Sequence, residues 1–119
     1  MKCLIHHDFM KEMQEGNKTI NIQVKTKRMG VPDWILGKKA ESIKDKNMFY
    51  VFVALKSEEE SPNYHITPSS EVAKYVINRH LKWLNTLGRG GRPHVDTSIR
   101  IWDDPENKYL DRWDLLGLD

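Results

Sequence analysis

Alternating hydrophobic and polar positions mark the first clear element of the chain, residues 19–26. The β-branched residues Ile20, Ile22 and Val24 alternate there with the polar residues Asn21, Gln23 and Lys25. A period of two with β-branched residues on one side predicts a β-strand with one buried face. Residues 4–13 are predicted to form its antiparallel partner strand. Residues 15–17, Glu-Gly-Asn, supply the turn between the two strands and so complete an N-terminal β-hairpin.

A continuous apolar run, residues 48–55, predicts a strand that is buried on both faces, as in the middle of a sheet covered by helices. Residues 64–67 and 97–102 predict two further short strands. The polar stretch 27–46 predicts a loop, in which the apolar residues 34–36 form a short strand or turn.

Two helices are predicted in the second half of the chain. The first covers residues 69–85, with a capping residue at Thr67 or Ser69 and Glu71 near the positive end of the helix dipole. Its apolar stripe consists of Ala73, Ile77, Leu81 and Leu84 and is widened by Val76 and His80. The second opens at residues 104–106, with Tyr109, Leu110, Trp113 and Leu116 as its apolar side. The pattern predicts α/β architecture, with strands first and helices after.

Length and composition fit one domain over residues 1–119. The chain is 39% hydrophobic, contains one cysteine, Cys3, and has no apolar run near the ~20 residues of a membrane span. The N-terminus has no signal-peptide pattern, so a cytoplasmic location without membrane contact is expected. Residues 1–56 hold 11 Lys/Arg against 6 Asp/Glu, whereas residues 57–119 hold 8 against 11. The basic half favours nucleic acid, although solvated lysine-rich loops give the same pattern.

Hairpin geometry brings three polar residues onto one face of the sheet. With a two-residue loop at 15–16, Asp8 lies opposite Gln23, and with a loop at 16–17 it lies opposite Lys25. Both registers place Asp8 on the face of Gln23 and Lys25, whereas an unbulged three-residue loop does not. Carboxylate and amide oxygens are hard ligands suited to Mg²⁺, and an ammonium group can stabilise developing negative charge.

These residues resemble the active-site motif of the PD-(D/E)xK nuclease superfamily. Residues 22–25, Ile-Gln-Val-Lys, are similar to its (D/E/Q)-x-K strand, and Asp8 matches the acidic position on the antiparallel neighbour. Residues 49–53 and the helix from Ser69 resemble its later sheet and helix. The resemblance implies a restriction-endonuclease-like fold, with a mixed central sheet, an N-terminal β-hairpin and flanking helices. The chain departs from the family pattern in two ways: Gln23 stands where the family usually has an acidic residue, and no helix precedes Asp8.

The resemblance also implies a reaction, the Mg²⁺-dependent hydrolysis of phosphodiester bonds, with Mn²⁺ as a substitute. Asp8 and Gln23 are the implied metal ligands, and Lys25 is implied to activate the nucleophilic water. The alternative is that all three residues lie on the solvent-facing side of a hairpin at the edge of the sheet. In that case the chain is an inactive nucleic-acid-binding module or an interaction protein.

Candidate contacts to nucleic acid, with DNA expected, lie outside this trio. The cations are Lys27, Arg28, Lys38, Lys39, Arg89 and Arg92. Trp34 is the predicted base-stacking residue. The alternative for the cations is a solvated surface. Because no helix precedes the hairpin, part of the sheet is expected to be uncovered, which predicts a homodimer.

Overall fold

The alternating and apolar stretches form a five-stranded mixed sheet in the computed structural model. The structure describes residues 2–5, 10–15, 18–43 and 45–117, with side chains from residue 19 onward. The strands are β1 (Lys2–Ile5), β2 (Met10–Glu15), β3 (Lys18–Lys27), β4 (Trp34–Gly37), β5 (Met48–Ala54), β6 (Asn63–Pro68) and β7 (Ile99–Trp102). Their order in the sheet is β1-β2-β3-β5-β6, and β4 pairs with β7 in a second, two-stranded sheet. β3 and β5 run parallel, whereas the other neighbours run antiparallel.

The helical part of the described chain is small. It consists of one α-helix, α1 (Ser69–Leu84), and the 3-10 helices Lys38–Glu41, Arg89–Gly91 and Trp113–Leu116. The fold is therefore mixed α/β, with a mixed sheet and a single described α-helix. None of the helices in the described ranges is long and apolar enough to cross a membrane.

The prediction of a doubly buried strand is confirmed for β5. All of its residues from Met48 to Val53 are buried, and β5 lies between β3 and β6 in the sheet. Because side chains alternate along a strand, β5 contributes to two separate cores. Tyr50 and Phe52 face one layer, and Phe49, Val51 and Val53 face the other.

The first core, called here the aromatic core, joins the sheet to α1 and the β4–β7 pair. It comprises Trp34, Leu36, Ala40, Tyr50, Phe52, Val72, Val76 and Trp102. The Phe52 and Trp102 rings stack with centroids 3.8 Å apart, and Trp34 packs against Trp102 at 5.3 Å. Close aromatic packing of this kind adds to the free energy gained by burying the rings.

The predicted span of α1 is confirmed, but its buried stripe matches the predicted one only in part. Ala73, Val76 and His80 of that stripe are buried, as is Val72, whereas Leu81 is exposed and Ile77 and Leu84 are only partly covered. The stripe follows Val72 and Val76 because these residues pack into the aromatic core. The apolar residues at the C-terminal end of α1 are therefore left at the surface.

The predicted C-terminal helix is wrong. Residues 104–112 form turns beside β6, where Leu110 bridges to His65 and the Asp111 N–H donates to the Tyr64 carbonyl at 2.8 Å. Asn107 and Asp111 adopt positive φ, which a continuous right-handed helix does not allow. The 3-10 helix that follows delivers Leu116 to the second core.

The hairpin prediction needs one correction at its first strand. In place of a single strand over residues 4–13, the chain forms β1 and β2, which pair with each other. β2 pairs with β3 in the predicted antiparallel sense, with Glu15 opposite Lys18 and Met10 opposite Gln23. This is the register that the sequence predicts for a two-residue loop at residues 16–17.

Candidate functional site

The strand β3 places Gln23 and Lys25 on the sheet face that carries the aromatic core. In the parallel β3–β5 register, Gln23 lies opposite Tyr50 and Lys25 lies opposite Phe52. Ile20 and Ile22 face the opposite side, within the second core. The hydrophobic alternation thus fixes which side the amide and the ammonium occupy, and both side chains are partly buried.

Asp8, the predicted carboxylate of the trio, lies outside the described residues. Described pairing of β2 with β3 extends as far as Met10 opposite Gln23. Gln23 and Lys25 are therefore brought together as predicted, and the position of Asp8 stays a prediction.

The chemistry available from the described part of this site is limited to one neutral oxygen ligand and one cation. The Gln23 amide oxygen can bind a hard metal ion, and Lys25 forms no ion pair with any described residue. No group of three His, Cys, Asp or Glu side chains that could hold a metal occurs among the described residues. A magnesium ion would thus depend on Asp8 and on substrate oxygens in addition to Gln23.

Two buried residues with hydroxyl groups, Tyr50 and Thr67, lie in line with Gln23 on the neighbouring strands of the sheet. Tyr50 lies opposite Gln23 on one side and opposite Thr67 on the other. Burial raises the pKa of the Tyr50 phenol, so that it stays protonated at neutral pH. Thr67 Oγ1 is fully buried and has no hydrogen-bond partner within the described structure. The sequence pattern assigned Tyr50 to a continuous apolar run and Thr67 to a helix cap, so neither was predicted to be a polar neighbour of Gln23.

The predicted stacking role of Trp34 is not supported, because the structure places this residue in the aromatic core. Its side chain is 3% exposed, and its indole N–H donates to the Val53 carbonyl at 3.1 Å. The Lys27 ammonium lies 3.9 Å from the Trp34 ring centroid and donates to the Pro32 carbonyl at 3.0 Å. Lys27 therefore covers the indole and holds the turn before β4, which takes it away from the predicted phosphate contact.

The remaining predicted cations are exposed and lie in three different segments of the chain. Arg28 follows β3, Lys38 and Lys39 begin the 3-10 helix after β4, and Arg89 and Arg92 lie in the loop after α1. None of these five forms an ion pair within the described ranges. Their role as phosphate contacts stays a prediction.

A buried histidine–aspartate pair fixes the C-terminal turns to β6. The His65 Nδ1 N–H donates to Asp104 Oδ2 at 2.8 Å, and both side chains are buried. Asp104 also accepts the backbone N–H groups of Lys108 and Tyr109 at 2.9 and 2.8 Å. Each lone pair used in this way compensates the cost of burying the carboxylate, so we assign the pair a structural role.

A second histidine–aspartate contact lies at the exposed end of α1. The His80 Nε2 N–H donates to Asp96 Oδ1 at 2.7 Å. His94 stacks on Trp83 with ring centroids 4.1 Å apart, and its Nδ1 N–H donates to the Trp83 carbonyl at 2.7 Å. These contacts hold the loop between α1 and β7 against the helix.

The His80 contact predicts a measurable change in the pKa of Asp96. The hydrogen bond from His80 holds the pKa of the Asp96 carboxyl below its usual range. The contact therefore stabilises the fold fully above the ordinary pKa of aspartate, and its contribution is lost as pH falls through the lower folded value. In His80→Phe, which keeps a ring beside Trp83, carboxyl NMR titration should show the Asp96 pKa rising toward its ordinary value. An unchanged Asp96 pKa would contradict this assignment.

Comparison of the chain with protein-family models, with curated proteins and with solved structures gives no match.

Proposed function

We propose that the chain hydrolyses phosphodiester bonds in nucleic acid, with a divalent metal ion, on a restriction-endonuclease-like fold. The observation that supports this proposal is the placement of Gln23 and Lys25 on one face of β3, partly buried and two residues apart. The PD-(D/E)xK resemblance rests on this two-residue spacing in β3, a strand that pairs antiparallel with β2.

The architecture around β3 is consistent with such a site. β2 and β3 form an antiparallel hairpin, β5 adds in parallel, and α1 follows β6 and packs over the same sheet face as Gln23 and Lys25. The parallel β3–β5 pair gives the site a rigid, buried floor, because Tyr50 and Phe52 lie directly beside the two polar residues. Active-site side chains held by such a floor have little freedom to move away from a reactive geometry.

The proposed roles follow from the donor set. Asp8 and Gln23 would hold Mg²⁺, which lowers the pKa of a bound water and polarises the scissile phosphate. Lys25 would orient the attacking water and stabilise the negative charge that develops on the phosphate oxygens. Because Gln23 is neutral, the protein supplies at most one carboxylate from this trio, and affinity for metal depends strongly on the substrate phosphate.

The direct test is a cleavage assay with purified protein on labelled DNA and RNA. We expect cleavage with Mg²⁺ or Mn²⁺ that EDTA abolishes and that added metal restores. Absence of cleavage with either metal on single-stranded and duplex substrates would contradict the proposal.

Replacing the neutral ligand by an acid gives a sharper prediction. In Gln23→Glu we expect the metal concentration for half-maximal cleavage to fall by on the order of tenfold, since a carboxylate binds Mg²⁺ more strongly than an amide. The matched control is Asn78→Asp, the same amide-to-acid change at an exposed position of α1. A fall of equal size in both variants would indicate a general charge effect and would remove Gln23 from the metal site.

Nucleic-acid binding without turnover is the second candidate. It is favoured by the neutral Gln23 and by the five exposed cations that form no described ion pair. This candidate predicts salt-sensitive binding in EDTA, with no cleavage when metal is added.

A further inference from the structure

A groove remains between the second half of α1 and the strand β7. It encloses about 430 Å³ and is lined by Arg79, His80, Trp83, Thr97, Ile99 and Ile101. Its volume lies within the range of small-molecule and cofactor sites. Ile99 is 51% exposed and Trp83 is 38% exposed, so the apolar surface of the groove is open to solvent.

The two walls of the groove differ in character. One wall is aromatic, because the His80 and Trp83 rings lie 5.5 Å apart with an interplanar angle of 27°. The other wall is aliphatic and comes from Ile99 and Ile101 on the outer face of β7. An aromatic and an aliphatic wall together favour a flat, planar group. His94 stacks on one face of the Trp83 ring, and this contact and the His80–Asp96 hydrogen bond hold the aromatic wall in place.

The chain around the aromatic wall is strongly basic. Residues 79–96 contain Arg79, Lys82, Arg89 and Arg92 against a single acid, Asp96, which is hydrogen-bonded to His80. Arg79 is held at the rim, where it donates to Asp33 Oδ2 at 3.3 Å and to the Tyr75 hydroxyl at 3.1 Å. Arg89 and Arg92 are exposed, and neither forms an ion pair with a described residue. The segment therefore favours a polyanion that also carries apolar, planar groups.

We propose that this groove binds an unstacked base of single-stranded nucleic acid, with the adjacent phosphates on Arg89 and Arg92. The proposal rests on the nucleic-acid function proposed above and adds a subsite away from Gln23 and Lys25. A base inside a duplex presents only its edges to a protein, whereas an unpaired base offers the planar face that the groove requires. Arginines of the loop after α1 would contact the backbone without regard to sequence, so such a site accepts many sequences.

The test measures binding apart from cleavage. Anisotropy of a short fluorescein-labelled oligothymidylate is followed in EDTA, where metal-dependent cleavage cannot occur. Because stacking of one base on an aromatic side chain is worth about 1–3 kcal/mol, Trp83→Leu should weaken binding by roughly tenfold. Ile99→Asp should weaken it as well, because it puts a carboxylate on the aliphatic wall, where it removes apolar contact and repels the phosphates. Arg89→Glu and Arg92→Glu should also weaken it, and each should make the slope of log K against log salt shallower by about 0.7, because one phosphate is no longer neutralised.

Matched controls separate the groove from general effects. Met29→Asp places the same acid on an exposed apolar residue of the β3–β4 turn, and Lys56→Glu reverses an exposed charge in the turn after β5. Both should bind the oligonucleotide like the wild type. Duplex DNA of the same length should bind more weakly than the single strand.

The outcomes distinguish this inference from the hydrolase proposal. Binding that depends on Ile99 and Trp83 without any metal-dependent cleavage supports the groove and contradicts the hydrolase. Cleavage that persists with unchanged binding in Ile99→Asp and Trp83→Leu overturns the groove and leaves the hydrolase standing. A third outcome concerns self-association. If the wild-type mass doubles as the concentration rises, and if Ile99→Asp restores the monomer without changing oligonucleotide binding, then a second copy of the chain packs on these isoleucines. That result would also overturn the inference.

Discussion

Lys25→Met is expected to reduce metal-dependent cleavage at least about a hundredfold, because it removes the cation that would orient the attacking water and stabilise the developing phosphate charge. Methionine keeps most of the aliphatic stem of Lys25, which is partly buried on β3 beside Phe52. The fold should therefore be retained, and circular dichroism and thermal unfolding should match the wild type. The measurement is the single-turnover cleavage rate at saturating Mg²⁺.

The control for this prediction is Lys56→Met, which makes the same change at an exposed lysine. Its cleavage rate should equal that of the wild type. Cleavage that survives in Lys25→Met would exclude Lys25 from the reaction. Equal losses in both variants would point to a nonspecific effect of charge on substrate binding.

Trp102→Ala is expected to destabilise the fold strongly, by about 3–5 kcal/mol. Trp102 is almost fully buried, stacks on Phe52 and packs against Trp34 at the junction of the sheet, α1 and the β4–β7 pair. Removing the indole leaves a cavity that three separate elements line, and none of them can close it without giving up its own pairing. Urea denaturation should show the lower midpoint.

Trp113→Ala is the matched control, since Trp113 is 45% exposed and contacts Tyr64 at the surface. Its cost should be about 1 kcal/mol, in line with partial burial. A cost for Trp102→Ala no greater than this would contradict the packing of Trp102 in the aromatic core.

Elements with a strong local pattern could be predicted from the sequence. β3 and β5 follow from β-branched alternation and from a continuous apolar run, and α1 follows from its period. These signals are local, because each depends on residues within one element. The placement of Gln23 and Lys25 on one face of β3 follows from the alternation of side chains along a strand. The predicted capping by Thr67 or Ser69 is wrong, because Pro68 is the N-cap residue and the Ser69 hydroxyl donates to the Asp45 carbonyl.

Elements that depend on distant partners could not be predicted in this way. The apolar stripe from Tyr109 to Leu116 has helical spacing, yet backbone hydrogen bonds to Tyr64 and Ile66 and the carboxylate of Asp104 stabilise turns instead. Tertiary contacts commonly override local propensity at such positions. Trp34 looked like a loop residue because the strand that covers it, β7, lies near the other end of the chain.

The two histidine–aspartate pairs could not be predicted from the sequence either. His65 and Asp104 are separated by 39 residues, and His80 and Asp96 by 16. Neither separation corresponds to a motif, and both pairs form only because β6 and α1 carry the histidines toward the returning chain. A histidine in a predicted strand or helix thus indicated burial but gave no sign of its partner.

The pairing of β4 with β7 also constrains the order in which the protein can fold. Residues 34–37 find their partner strand only in residues 99–102, so this contact closes a loop that includes most of the chain. Loop closure of that length lowers the folding rate, because its entropy must be lost before the contact forms. During synthesis on a ribosome, Trp34 and Phe52 would lack the side chain that packs on them until Trp102 emerges, so the nascent chain would expose aromatic surface throughout the synthesis of the residues between them.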